Sequence, residues 1–134
     1  MDIFEEAAIP KPVFCIINVY PLCMFKCKIC YIWGRKDIPM RSSGQIKEFR
    51  NTLADFTEEK VDINFIGGEP LLRKDIFDLI AAASKRGLRT TLCTNGYLVD
   101  YDMAKRLFES GLKGLAISLD SLDEKTHDTL RGME

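Results

Sequence analysis

The run Val61-Asp62-Ile63-Asn64-Phe65-Ile66-Gly67-Gly68-Glu69-Pro70 predicts a β-strand that ends abruptly in a polar turn. β-branched and large apolar residues favour strands, and the glycine pair and the proline interrupt them. Three more runs of this composition occupy residues 13–19, 88–93 and 114–119. Segments with apolar residues every three or four positions lie between these runs, which predicts helices. The alternation indicates an α/β fold with parallel strands, in a sheet or a barrel. Such apolar runs suit a parallel sheet covered on both faces.

Capping residues mark the ends of these helices. Ser42 or Ser43 is expected to cap the first helix, and Asp100 the third. The spacing from Ser121 to Glu124 is that of a capping box and opens a fourth helix. Gly87 suits the left-handed position that follows the second helix.

Composition limits the classes of function. The 134 residues suit one domain, and the net charge of −1 argues against nucleic acid or an anionic membrane as a partner. No apolar run approaches the roughly 20 residues of a membrane helix. Five cysteines, an odd number with three packed into eight residues, argue against a disulfide framework and favour a reducing cytoplasm. Cys15 and Cys93 are expected to be small buried apolar residues.

The other three cysteines form the motif Cys23-x3-Cys27-x2-Cys30, directly after the first strand. Thiolates are soft ligands that select iron–sulfur clusters, zinc or Cu(I). Three thiolates on one loop leave a coordination position open, which favours a reactive cluster. Structural zinc is the alternative, but it needs a fourth ligand, and the only histidine is the distant His127.

Polar residues follow each of the other strands. They are Gly67-Gly68-Glu69-Pro70, then Thr94-Asn95-Gly96, then Ser118 with Asp120. The carboxyl ends of parallel strands meet on one side of the fold, so these groups are expected to converge with the cysteines. The carboxylate of Glu69, at the end of the second strand, could bind the ammonium group of a ligand. Alternatively, Glu69 is a solvated residue of a tight turn. Asp120 alternatively serves as a helix cap.

The fourth helix carries His127, Asp128 and Arg131. We interpret His127 as a surface or packing residue. Asp128 and Arg131 are spaced to pair along the helix.

Taken together, these motifs resemble a known family. Cys23-x3-Cys27-x2-Cys30 and Gly67-Gly68-Glu69-Pro70 are similar to the signatures of the radical S-adenosylmethionine superfamily. Thr94-Asn95-Gly96, Ile117–Ser121 and His127-Asp128-x2-Arg131-Gly132 resemble later stretches of its branch of molybdenum-cofactor, haem and peptide-modifying enzymes.

The resemblance implies two cofactors. Cys23, Cys27 and Cys30 would ligate three irons of a [4Fe–4S] cluster, and the fourth iron would bind the amino and carboxylate groups of S-adenosylmethionine. Transfer of one electron to the sulfonium would give methionine and a 5′-deoxyadenosyl radical, which abstracts hydrogen from a substrate. An electron donor such as flavodoxin or ferredoxin would supply the electron.

The resemblance also implies residues that hold S-adenosylmethionine. Ile29 would lie against adenine, and Gly67, Gly68 and Glu69 would receive the methionyl ammonium. Ser118 would contact the ribose or the carboxylate. Asn95 and Asp120 would border the same pocket.

The family's barrel has six βα units, and this chain supplies about four. We therefore expect a partial (βα)6 TIM-like barrel, with residues 1–134 as a core domain that lacks the last units. The alternatives are a fragment of a longer enzyme, assembly with another chain such as a second copy that covers the open sheet edge, or a non-catalytic binding module. The substrate is expected to be a small molecule or a peptide.

Overall fold

Strands and helices alternate along the chain, as the sequence predicts. The structure is a computed structural model that describes residues 12–35, 37–56 and 61–133. The strands are β1 (Phe14–Tyr20), β2 (Asp62–Gly67), β3 (Arg89–Thr94) and β4 (Gly114–Ile117). The helices are α1 (Ser43–Phe56), α2 (Ile76–Ser84), α3 (Tyr101–Glu109) and α4 (Glu124–Arg131). A 3-10 turn at Pro70–Leu72 follows β2.

The four strands form one parallel sheet in the order β1-β2-β3-β4. Ile63 in β2 pairs with Cys15 in β1 and with Thr90 in β3, and Leu92 in β3 pairs with Leu115 in β4. The register shifts near the end of β1, so that Tyr20 lies opposite Gly67. Sequential order with helical crossovers places all the carboxyl ends of the strands on one side.

Only one face of the sheet is well buried, which corrects the expectation of cover on both faces. Ile63, Phe65 and Leu92 point toward the helices and are almost inaccessible. Ile16 on β1 points to the opposite face and is 57% exposed. Crossovers of the same hand put every helix on the same side, so the described residues leave the second face open.

The helices form for the expected local reasons. Ile76, Leu79, Ile80 and Ala83 make the buried stripe of α2. The Ser42 hydroxyl accepts the N–H of Gln45, and the Gln45 side chain accepts the N–H of Ser42 in return, a capping box at the start of α1. Asp100 accepts the N–H of Met103 at 2.7 Å and caps α3.

Two boundaries differ from the prediction. The cap of α4 is Asp123, which accepts the N–H of Thr126, and Ser121 instead accepts the N–H of Asp123. Strand β4 ends at Ile117, so Ser118 and Asp120 lie in the loop beyond it. In the described ranges, every helix is too short or too polar to cross a bilayer.

Candidate functional site

A cavity of about 330 Å³ opens at the carboxyl ends of the strands. Nine of the ten residues predicted for the site line it: Cys23, Cys27, Ile29, Cys30, Gly67, Gly68, Asn95, Ser118 and Asp120. The tenth, Glu69, is not part of the lining. The topology therefore brings together, around one cavity, nine groups that are far apart along the chain.

The cysteine loop is held by its own backbone. The N–H of Cys30 donates to the Cys27 carbonyl at 3.1 Å, and the Trp33 indole donates to the same oxygen at 3.0 Å. Cys23 Sγ accepts the N–H of Phe25, and Cys30 Sγ accepts the N–H of Ile32, both at 3.4 Å. These contacts fix where the sulfur atoms lie. Burial raises the pKa of the Cys23 thiol, although the N–H of Phe25 opposes that shift.

The donor set fits an iron–sulfur cluster better than a single metal ion. All three loop cysteines carry free thiols, and all three line the cavity. Within residues 12–35, 37–56 and 61–133, no three His, Cys, Asp or Glu side chains converge on a point where one metal ion could sit. Cluster thiolates bind different irons of one cluster and so need a shared cavity and not a shared point.

The glycine pair lets β2 approach the chain that leads into the cysteine loop. The N–H of Gly68 donates to the Tyr20 carbonyl at 2.7 Å, and the N–H of Glu69 donates to the Leu22 carbonyl at 2.8 Å. A Cβ on Gly67 would lie 2.2 Å from the Tyr20 oxygen, and one on Gly68 would lie 2.3 Å from the Leu22 oxygen. Only glycine permits this approach.

Glu69 lies behind the cavity wall and not in it. Its side chain is 0% exposed. Oε1 accepts the N–H of Leu71 at 3.0 Å and the Thr94 hydroxyl at 2.8 Å, and Oε2 accepts the N–H of Asn95 at 2.9 Å. The carboxylate is thus neither solvated nor directed at the cavity. It ties the end of β2 to the end of β3.

Asn95 connects this network to the cysteine loop. Its Oδ1 accepts the N–H of Tyr97 at 2.9 Å, which fixes the side chain in an Asx turn. Its Nδ2 lies 3.1 Å from Met24 Sδ and 3.9 Å from Cys23 Sγ. An exposed turn residue would not make these contacts, so Asn95 belongs to the site wall.

Helix α4 closes the other side of the cavity. The N–H of Lys28 donates to the Leu130 carbonyl at 2.9 Å. The left-handed Gly132 packs so closely that a Cβ would lie 2.5 Å from the Lys26 carbonyl oxygen. The end of the helix is therefore fixed against the cysteine loop.

Arg131 and Cys93 line the cavity although neither was expected there from the sequence, and Cys93 is half-buried where a buried apolar residue was expected. The side chain of Arg131 is almost buried, lines the cavity, and places Nη1 3.9 Å from Cys27 Sγ. Its Nε lies 2.7 Å from Asp120 Oδ2. The expected pairing with Asp128 gives way to this longer-range pair. His127 Nδ1 accepts the N–H of Asp120 at 3.3 Å and so helps to fix the loop that carries the carboxylate.

Comparison with known proteins agrees with this geometry. The profile of the radical SAM superfamily matches residues 17–134. The chain belongs to the radical SAM superfamily. The family expected from the sequence is thereby confirmed.

Individual relatives differ in what they act on. The chain is 39% identical over 125 residues to Fe-coproporphyrin III synthase of Methanosarcina barkeri, covering 92% of this chain and 31% of the relative. It is 32% identical over 123 residues to GTP 3′,8-cyclase of Photorhabdus laumondii, covering 88% of this chain and 37% of the relative. The chain therefore spans about a third of the length of these curated relatives.

Among solved structures, Streptococcus suis SuiB bound to S-adenosylmethionine superposes with a TM-score of 0.76 at 26% identity. The match covers 89% of this chain and 28% of SuiB. A second structure shows SuiB bound to the precursor peptide SuiA. The shared α/β fold confirms the partial barrel expected from the sequence, and the neighbour that shares it binds S-adenosylmethionine.

Proposed function

We propose that this chain is the cofactor-binding part of a radical S-adenosylmethionine enzyme. The observation that carries the proposal is the cavity in which three free thiols from one loop face the glycine pair and the loops after β3 and β4. Cys23, Cys27 and Cys30 would hold a [4Fe–4S] cluster, and S-adenosylmethionine would occupy the remaining space. Bound together, the two cofactors supply the one-electron reductive cleavage for which the superfamily is named.

The other residues of the cavity wall would bind S-adenosylmethionine and orient it. The side chain of Ile29 lines the cavity and offers an apolar surface for adenine. We assign the methionyl ammonium to the backbone of Gly67 and Gly68, which lines the cavity, with Glu69 holding that backbone from behind. Ser118 would donate its hydroxyl to the ribose or the carboxylate, and Asn95 and Asp120 would border the ligand.

The partners follow from the chemistry and from the relatives. An electron donor such as flavodoxin or ferredoxin is required, and a reducing cytoplasm suits five free cysteines. The substrate would be a small molecule or a peptide. The greater identity to the porphyrin enzyme, 39% against 26% for SuiB, supports a small molecule.

The test is anaerobic reconstitution with iron and sulfide, followed by dithionite and S-adenosylmethionine. We expect a brown protein with about four irons and four sulfides per chain, and release of 5′-deoxyadenosine detected by chromatography. Cys27→Ser should lose the chromophore. Cys15→Ser is the matched control, because Cys15 lies on the helix side of β1 and outside the cavity lining, and it should retain the cluster. One zinc and no sulfide per chain would refute the proposal.

A second candidate is a module that binds both cofactors without turnover, or a half-barrel that needs a partner chain. The observation in its favour is the sheet, whose outer strands β1 and β4 each have a single neighbour among the described residues. Binding of S-adenosylmethionine to the reconstituted protein without cleavage would support this candidate over the first.

A further inference from the structure

Arg131 places a guanidinium beside one of the three proposed cluster ligands. The side chain is only 9% exposed, and its Nη1 lies 3.9 Å from Cys27 Sγ. Cys27 is itself buried. Cys23 and Cys30 instead accept backbone N–H groups. Among the contacts described for the three thiols, this is the one with a cation, whereas the Glu69 carboxylate acts electrostatically on Cys23 and helps to raise the pKa of that thiol.

The position of Arg131 is fixed by the backbone. The Lys28–Leu130 hydrogen bond and the packing of Gly132 on Lys26 hold the last turn of α4 against the cysteine loop. These backbone contacts keep Arg131 beside the cysteine loop, from where its guanidinium reaches Cys27. Arginine suits the position because its guanidinium is always charged and extends toward two groups at once. Nη1 faces the Cys27 sulfur, and Nε lies 2.7 Å from Asp120 Oδ2 in an ion pair that lacks hydrogen-bond geometry.

We propose that Arg131 is a positioning residue that makes reduction of the cluster on Cys27 more favourable, and that Asp120 limits this effect. The proposal rests on the proposed function. Reduction adds one electron, taken from the external donor, and neither forms nor breaks a bond. A cation within a few ångströms of a ligand sulfur stabilises the added negative charge, and because Cys27 and Arg131 are both buried, little water screens this interaction. The negative charge of the neighbouring Asp120 carboxylate offsets part of the effect of the Arg131 positive charge on the cluster.

The test is the midpoint potential of the reconstituted cluster, measured by dithionite titration with electron paramagnetic resonance. We expect Arg131→Gln to make reduction about tenfold less favourable, a downward shift of about 59 mV for a one-electron couple. Arg131→Lys should stay close to the wild type, because it keeps the charge. Asp120→Asn should shift the potential upward. Lys125→Gln removes a cation from the exposed face of the same helix and should leave the potential unchanged.

The outcomes separate the two proposals. A wild-type chain that does not retain the cluster refutes the proposed function. A loaded Arg131→Gln protein with the wild-type potential overturns the role of Arg131 and leaves the proposed function standing. If Arg131→Gln does not retain the cluster, the midpoint potential of the Asp120→Asn protein is the test. A potential above that of the wild type supports the proposal, and an unchanged potential overturns it. Loss of the cluster in both variants assigns Arg131 a structural role and also overturns the proposal.

Discussion

At the scale of single residues, Glu69 joins two strand ends through one carboxylate. Three donors reach it: the backbone N–H groups of Leu71 and Asn95 and the hydroxyl of Thr94. A buried acceptor with this many donors is costly to alter, because each donor left without a partner keeps its desolvation penalty. Glu69 therefore sets where Asn95 meets the cysteine loop.

We predict that Glu69→Gln destabilises the fold by about 1–3 kcal/mol, because the new NH2 group must face at least one of the three donors. Urea unfolding followed by circular dichroism measures the change. Glu48→Gln, an exposed residue of α1, is the control and should alter stability by less than about 0.5 kcal/mol. Weaker S-adenosylmethionine binding with unchanged stability would instead indicate direct contact between Glu69 and the ligand ammonium.

Arg131 and Asp120 show where local patterns mislead. Spacing along the helix favoured Asp128 as the partner of Arg131, yet the ion pair forms with a loop residue from before the helix. Nothing in the neighbouring sequence encodes that contact, because it depends on how α4 packs against the cysteine loop. Motif spacing was enough to predict which residues offer ligand groups, such as the three cysteines. It did not predict which other residues hold those groups in place.

At the scale of elements, the strands were predictable and their ends less so. β-branched runs placed β1, β2 and β3 within about one residue, because their inward side chains must be apolar. β4 is shorter than its apolar run, and exposed Leu119 lies in the loop that carries Ser118 and Asp120. Hydrophobicity alone does not distinguish a strand from a loop that borders a cavity.

The close contact between β2 and the segment before the cysteine loop makes the fold sensitive to any side chain at Gly68. Gly68→Ala would force a Cβ to within 2.3 Å of the Leu22 carbonyl oxygen, so the backbone just before Cys23 must move. We expect a loss of stability of about 1–3 kcal/mol and a lower iron content after reconstitution. Absorbance and iron assay measure the second effect.

Gly44→Ala is the matched control for that substitution. Gly44 lies in α1, and the nearest atom to a new Cβ is Ser42 Oγ at 3.7 Å. This variant should retain full iron content and gain up to about 1 kcal/mol, because alanine loses less backbone entropy in a helix. Equal iron content in Gly68→Ala and Gly44→Ala would contradict the role assigned to the glycine pair.

At the scale of the whole molecule, β1 has no neighbour along its outer edge among the residues that the structure describes. A cavity of about 430 Å³ lies beside this edge, larger than the one at the strand ends, and it contains no thiol or carboxylate. Its lining is Ile16, Ile17, Asn18, Arg41, Gln45, Ile46 and Phe49. An apolar strand edge of this kind is a template for pairing with another strand.

We predict that the 134-residue chain self-associates through this edge as its concentration rises. Size-exclusion chromatography with light scattering measures the mass. Ile16→Lys should reduce the association, because a lysine on an edge strand opposes pairing. Phe108→Lys is the control: Phe108 is 79% exposed on α3, away from the edge, and its replacement should leave the association unchanged. A monomeric wild-type chain at all concentrations would contradict the prediction.

The hydrogen bond between Lys28 and Leu130 has a consequence for biosynthesis. The helix that holds the cysteine loop is made about a hundred residues after that loop. During translation the three thiols therefore emerge before their folded surroundings exist. We therefore expect metal loading to be productive only after the fourth helix has been released, so that cluster insertion follows the folding of this helix and does not precede it.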